Sequence, residues 1–328
     1  MLETNTHEYK YLDLIRNILT HGHIKHNRTG VETIGLFGES MRFHLGDGTI
    51  PLLTTKKMHT KSIIHEILWY LKGSDNIKYL NDNGVTIWDE WADPQGNLGP
   101  VYGVQWRAWQ DFEFVPPHSE GYEWVDETYR VGHIDQIAQL IDKLKNNPLD
   151  RRMIVSAWNV AEISEMALPP CHYSFQCYAR PMDHAERVGR GLSVERFYIN
   201  HDIEPTAGQL ALLDELGIPK YELSMIINQR SCDVGLGVPF NIVQYSILLR
   251  MIAEVVGMAA GDLIWNGGDV HIYKNHVEAL REQVKLPPFP APTLRFKRKV
   301  TDIDDFKFED FSIENYTSHP AIKLEVAI

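Results

Sequence analysis

The chain has 328 residues, 44% of them hydrophobic, and 32 basic against 44 acidic side chains leave a net charge of −12. A chain of this size buries roughly three quarters of its unfolded surface, enough for one large domain or two moderate ones. The acidic balance, with no Lys/Arg run, argues against binding to a nucleic-acid duplex; no stretch of about 18 apolar residues predicts a membrane span; and three cysteines suit a reducing compartment better than a disulfide framework.

Residues 1–10 are polar and carry no apolar signal core, so the expected location is the cytoplasm. Tyr9, Leu12, Ile15, Ile18 and Leu19 recur at helical spacing and predict a helix over 9–19. The polar loop His26-Asn27-Arg28-Thr29-Gly30 follows. Residues 33–45 alternate as strand up to the Asp47-Gly48 turn, and 51–57 read as an extended piece. Ile63, Ile64, Ile67, Leu68 and Leu71 stripe a helix over 61–72, which Gly73 closes. Glu66 lies beside that stripe, a place where helix glutamates are ordinarily half-exposed. From 85 to 109, Trp88, Trp91, Trp106, Trp109 and Tyr102 interleave with Asp89, Glu90 and Asp93. That is either a packed loop around a flat ligand or plain core packing.

Residues 111–129 read as a polar surface excursion, 133–145 as a helix stopped by Asn147-Pro148, and 153–158 as a short strand after Arg151-Arg152. Residues 183–220, the least hydrophobic part of the middle, read as an insertion. Residues 221–228 return to strand, and 229–233 form a polar cluster. A Gly/Pro loop then feeds a helix over 242–258 that is apolar nearly all round and therefore buried at the centre. Asn266-Gly267-Gly268-Asp269 reads as a turn, 270–273 as a short strand, 276–284 as helix, and 293–300 and 305–313 as late strands.

The stretch 168–176 sets Cys171 just after Pro169 and Pro170, at the head of an alternating run in which Tyr173, Phe175 and Cys177 oppose Ser174 and Gln176. The prolines stiffen the approach to that strand. Cys171 is either a nucleophile held at a strand start or a buried structural thiol. His172 would point to the opposite face, which argues against a direct Cys–His pair. Arg28, Arg151, Arg152 and Arg230 stand in loops or at strand ends. Together they suit a small anionic group, and nearby guanidinium groups favour a thiolate. Cys171, His172 and Cys177 lack paired zinc-ligand spacing, so no metal is expected. Gln229, Ser231, Asp233 and Asn241 surround the tight glycine loop; Asn241 either reads the edge of a cyclic imide or caps the long helix.

Taken in order, NRTG (27–30), IIHEILWYLKG (63–73), VTIWDEWAD (85–93), GPVYGVQWRAW (99–109), RRMIVSAWN (151–159), LPPCHYSFQ (168–176), QRSCD with LGVPFNI (229–242), GGDVHIYKNH (267–276) and HPAIKLEVAI (319–328) resemble the thymidylate synthase family over nearly the whole chain. The resemblance implies an α+β fold: one large domain over 1–328, with a mixed, largely antiparallel twisted β-sheet against a long buried helix and surrounding helices. It implies a methyltransferase that reductively methylates dUMP to dTMP with 5,10-methylenetetrahydrofolate as co-substrate, releasing dihydrofolate and using no metal.

In the roles it implies, Cys171 attacks C6 of the uracil, Glu66 and Tyr102 handle protons, and Asn241 reads the base. Arg28, Gln229, Arg230, Ser231 and Asp233 form the nucleotide site, with His271 and Tyr273 on the 3′-hydroxyl. Arg151 and Arg152 arrive from the partner of a homodimer. His59, Trp88, Trp91, Asp233 and Ala327 line the folate site, and the C-terminal tail closes over the complex. Three features depart from the pattern: Asn228 replaces a tyrosine, Gly235 replaces a bulky aromatic and is expected to open space, and 183–220 enlarges a loop. The alternatives are a dUMP hydroxymethylase of the same fold, against which Trp88 argues as a shield, a non-catalytic nucleotide- or nucleic-acid-binding protein, and a cysteine hydrolase.

Overall fold

The computed structural model describes residues 5–27, 30–114, 129–191 and 206–326. The periodic N-terminal segment is α1 (Thr6–His21), capped by Asn5, whose side chain accepts from the Glu8 N–H. β1 (His23–Lys25) pairs back on β2 (Thr33–His44). The apolar-striped segment is α2 (Thr60–Leu71), and Gly73, at φ 64°, takes the left-handed conformation that ends it. α3 (Lys78–Asp82) leads into the tryptophan-rich stretch. That stretch is not all loop. Its end forms α4 (Tyr102–Ala108), pressed so close to α2 that a Cβ on Gly103 would stand 2.5 Å from the Tyr70 carbonyl oxygen.

β3 (Trp109–Phe114) and β4 (Tyr129–Ile134) pair antiparallel, so the two ends of the expected excursion are strand, and its middle falls outside the described residues. His133 and Ile134 belong to this ladder. The helix starts later, because Asp135 caps α5 (Gln136–Asn146) by accepting from the Ala138 N–H. β5 (Ile154–Ser156) and β6 (His172–Pro181) follow.

The described part of the insertion holds α6 (His184–Gly191) and α7 (Ala207–Glu215). It is tied to the sheet by charge. Arg180 pairs with Glu186 at 2.7 Å and Arg190 with Glu222, while the buried Arg187 pairs with Asp214 at 2.6 Å and joins α6 to α7.

β7 (Tyr221–Asp233) runs straight through the polar cluster, five residues past the expected strand. α8 (Gly237–Val256) begins five residues earlier than the apolar pattern suggests, which puts Asn241 inside the helix and overturns its reading as a cap. β8 (Ala259–Tyr273) is continuous through 266–269, where a turn was expected. The glycines there serve close approach. A Cβ on Gly267 would lie 2.4 Å from the Trp265 ring, and one on Gly268 would lie 3.0 Å from the Arg230 carbonyl oxygen. After a 3₁₀ turn at Lys274–His276 comes α9 (Val277–Gln283). Of the late strands only β9 (Thr293–Phe296) and β10 (Phe311–Glu314) form, as a two-stranded ladder, with 3₁₀ turns between them.

The fold is α+β. Its six-stranded sheet has the order β1-β2-β8-β7-β6-β5 and is antiparallel except for the pair β7–β8. Parallel neighbours need a crossover, and α8 supplies it. α8 is buried on nearly every face, between the sheet and helices α2 and α5. The crossover sets the C-terminal ends of β7 and β8 and the first turns of α8 at one edge; Ser231 pairs with Asp269, and Asp233 with His271. On the outer face of β5 and β6, Ile154 and Tyr178 stand exposed.

Candidate active site

At that edge lies a cavity of about 520 Å³. Its wall brings together Cys171, Gln229, Arg230, Ser231, Asp233, Asn241, His271, Tyr273 and Trp91, nine of the residues singled out from the sequence. Lys25 and Asp269 also line it.

Cys171 sits one residue before β6, half-buried, and its backbone is held from two sides. Its N–H donates to the Tyr102 hydroxyl at 2.8 Å, and its carbonyl accepts from the Arg230 N–H at 2.8 Å. The Arg230 guanidinium completes the clamp, with Nε donating to the Pro170 carbonyl at 2.9 Å and Nη2 to the Pro169 carbonyl at 2.8 Å. It also stacks over the Trp158 ring, 5.4 Å from the centroid. Both prolines therefore contribute acceptors as well as stiffness. Nη1 takes no part in the clamp, and the same residue that positions the thiol also lines the cavity.

Behind Cys171 the aromatic layer is buried. His172 is buried against Tyr102, ring centroids 4.3 Å apart, and its Nδ1 bonds the Tyr245 hydroxyl at 2.9 Å. Burial pushes its pKa down to about 3, so the ring stays neutral and is not a base for the thiol. Burial likewise raises the Tyr102 pKa, with the Cys171 charge adding to it, so the phenol keeps its proton while accepting from Cys171.

Glu66 is the largest departure from ordinary behaviour. It is buried, not half-exposed, because α4 and α8 cover the flank of α2 on which it lies. Oε1 accepts from Trp88 Nε1 at 2.6 Å and Oε2 from Gln244 Nε2 at 2.6 Å. Desolvation outweighs these bonds and raises its pKa from 4.5 to about 7. A carboxyl poised there exchanges protons near neutrality.

The polar floor is a relay of amides. Trp265 Nε1 donates to Gln229 Oε1 at 2.9 Å, and Gln229 Nε2 donates to Asn241 Oδ1 at 3.1 Å. Asn241 then keeps its amide N–H groups and one lone pair for a ligand edge. His271 Nδ1 lies 3.1 Å from Asp269 Oδ1, and Asp269 pairs with Lys25 at 2.5 Å.

The other expected residues lie elsewhere. Trp88 is buried and bonds Glu66 without lining the cavity, and His59 is exposed at the start of α2, bonded to Ser62. Arg151 and Arg152 are exposed and outside the cavity, with Arg152 paired to Asp150 on its own loop. Arg28 and Ala327 fall outside the described residues. Of the four arginines, therefore, only Arg230 is seen at Cys171. Space does not open at Gly235, where a Cβ would meet His276 Nδ1 at 2.7 Å and Leu324 at 3.2 Å.

The sequence reading missed Lys25, Asp269, Gln244, Tyr245 and Trp265. Each is an unremarkable residue type until the fold sets it beside a site residue. Only the Gly267-Gly268 pair, a sign of close backbone approach, pointed at Trp265. Among the described residues no group of three or more His, Cys, Asp or Glu side chains is arranged to hold a metal, and no helix is long and apolar enough to cross a membrane. The model of one known family, described as Thymidylate synthase, matches residues 9–328, and the chain belongs to that family.

Proposed function

We propose that this member of the thymidylate synthase family, and so of a family of folate-using methyltransferases, converts dUMP to dTMP with 5,10-methylenetetrahydrofolate, releasing dihydrofolate. One observation carries the reading. Cys171 is clamped by Tyr102 and Arg230 on the wall of a cavity whose other walls offer an amide edge at Asn241 and a cationic, hydroxyl-bearing corner at Arg230 and Ser231. A uracil nucleotide needs those three features together: a nucleophile at C6, an imide reader and a phosphate anchor.

In this mechanism the Cys171 sulfur adds to C6 of the uracil as the C5–C6 π bond opens, and Asn241 steadies the charge that develops along O4, C4 and C5; once C5 has taken the methylene and lost its proton, hydride reaches that carbon as the sulfur leaves C6. Glu66, with its pKa near neutrality and Tyr102 nearby, moves protons at the base. The folate supplies the carbon and the hydride. His271 and Tyr273 hold the 3′-hydroxyl, Gln229 and Asp233 complete the polar floor, and Trp91 gives a flat wall for the pterin. Trp88 acts through Glu66 as well as toward the folate, with His59 and Ala327 further out. Arg28 joins Arg230 on the phosphate. The whole of 1–328 serves as a single catalytic domain, carrying 183–220 as an insertion.

The active form is a homodimer in which Arg151 and Arg152 reach the partner's phosphate site. Two observations support this: both side chains are exposed and outside their own cavity, and the outer sheet face presents Ile154 and Tyr178 to solvent. The test is absorbance at the dihydrofolate band with dUMP and methylenetetrahydrofolate. Formation of 5-hydroxymethyl-dUMP without dihydrofolate would sink the reading in favour of the hydroxymethylase.

A further inference from the structure

The tail, 319–326, has no helix or strand of its own, yet it is placed. The His319 N–H donates to the Thr54 carbonyl at 2.7 Å, and Val326 reaches the cavity wall. Between these points the Pro320 carbonyl accepts from the Lys57 N–H at 3.4 Å, and the Glu325 carbonyl faces His276, which is fully buried beneath the tail. His276 Nε2 lies 2.7 Å from the Glu325 carbonyl oxygen. A carbonyl only accepts, so Nε2 carries the proton. In the neutral ring Nδ1 is then the acceptor. Among the described residues it is buried without a hydrogen-bond partner, 3.8 Å from Asp233 Oδ1.

Asp233 cannot serve that neutral ring, being an acceptor itself and already bonded to the Gly235 N–H at 2.9 Å and the Leu236 N–H at 3.3 Å. The ring is thus seated at a cost on one side, while its other nitrogen bonds a tail carbonyl. Space for the ring comes from Gly235, where any side chain would collide with Nδ1. The Gly235 backbone is pinned in turn, because its carbonyl accepts from the buried Lys56.

We propose that His276 is a positioning residue that fixes the C-terminal tail at the mouth of the cavity through its Nε2–H bond to Glu325, with Gly235 leaving the room in which the ring takes this position. The inference rests on the reading of the cavity as the active site. It assigns the tail's placement to a directed hydrogen bond from the α9 side, in addition to apolar contact by Leu324.

The test uses the full chain and three variants: His276→Phe keeps a ring without the donor, His276→Gln restores an N–H near the Nε2 position, and Gly235→Ala crowds the ring. Release of C-terminal residues by carboxypeptidase, followed by mass spectrometry, should be about tenfold faster for the Phe and Ala variants, the worth of one hydrogen bond. The Gln variant should stay near the wild type. Urea midpoints identify any variant that has simply lost its fold. In turnover, the KM for the folate should rise in the Phe and Ala variants while that for dUMP moves little. Wild-type release rates in His276→Phe would overturn the proposal, and so would equal loss in the Phe and Gln variants, which would assign the ring to packing alone. A wild-type protein that makes no dihydrofolate would overturn the proposed reaction and leave the protease comparison readable.

Discussion

Replacing Glu66 with glutamine tests the buried proton directly. Folding raises this carboxyl's pKa from 4.5 to about 7, with burial as the leading cause and the Trp88 and Gln244 bonds acting against it. The folded chain therefore holds the proton more tightly than the unfolded one. The group's contribution to stability is fully present below about pH 4.5 and is lost as pH rises through about 7. A shift of that size corresponds to about 3 kcal/mol, most of it falling between about pH 5 and 8. Glutamine keeps the volume and cannot ionise. The site can also accept it: among the described residues Gln244 Oε1 is buried without a partner, so turning that amide presents an oxygen to the new N–H. Urea denaturation of both proteins across this pH range should show the wild type losing roughly 2–3 kcal/mol relative to Glu66→Gln as pH rises. Parallel stability profiles would refute the argument that Glu66 is a desolvated, titrating group. The folded variant should also lose turnover by roughly 10²–10⁴-fold, and unchanged turnover would remove Glu66 from the proton path.

Other substitutions probe the remaining parts. Cys171→Ser should fold normally and lose turnover by about 10³-fold or more, with no covalent complex to a 5-fluorinated dUMP seen by mass spectrometry. Asn241→Asp should move the kcat/KM ratio from dUMP toward dCMP by on the order of 10²-fold, because a carboxylate accepts from the cytosine amino group and repels the uracil O4. Arg230→Lys cannot span the Pro169 and Pro170 carbonyls and also face the cavity, so steady-state assays should show the KM for dUMP rising by roughly tenfold together with a fall in kcat. Gly267→Ala places a methyl 2.4 Å from the Trp265 ring and should cost about 1–3 kcal/mol in urea unfolding.

The sequence exposed what has a period or a stiff local geometry. The stripe of α2, the all-round apolarity of α8 and the proline-led start of β6 were all legible, because each is written within a dozen residues. The errors came where a tertiary contact overrode a local signal. Gly267 and Gly268 looked like a turn because turns are the usual use of adjacent glycines; here they clear space for Trp265 and for the Arg230 backbone. Gln229 to Asp233 looked like a polar cluster beyond the strand because a strand facing a cavity loses the apolar alternation that marks strands elsewhere. Glu66 looked half-exposed since nothing within α2 tells that α4 and α8 cover it. The family resemblance supplied the roles proposed for Glu66 and Asn241, which periodicity and spacing alone left open.

The parallel pair has a consequence for the molecule's response to its ligands. Ser231, Asp269, Asp233 and His271 sit on adjacent strands in register, and Asn241 stands on the helix that joins them. On the proposed reading, a nucleotide seated there would be gripped by both strands and the crossover at once. Binding therefore opposes the separation of the sheet's centre, and a ligand at a hundredfold excess over its Kd adds about 2.7 kcal/mol to the work of unfolding. In hydrogen exchange that increment would show first as slowed amides at the C-terminal ends of β7 and β8, with the β9–β10 ladder left at its own rate.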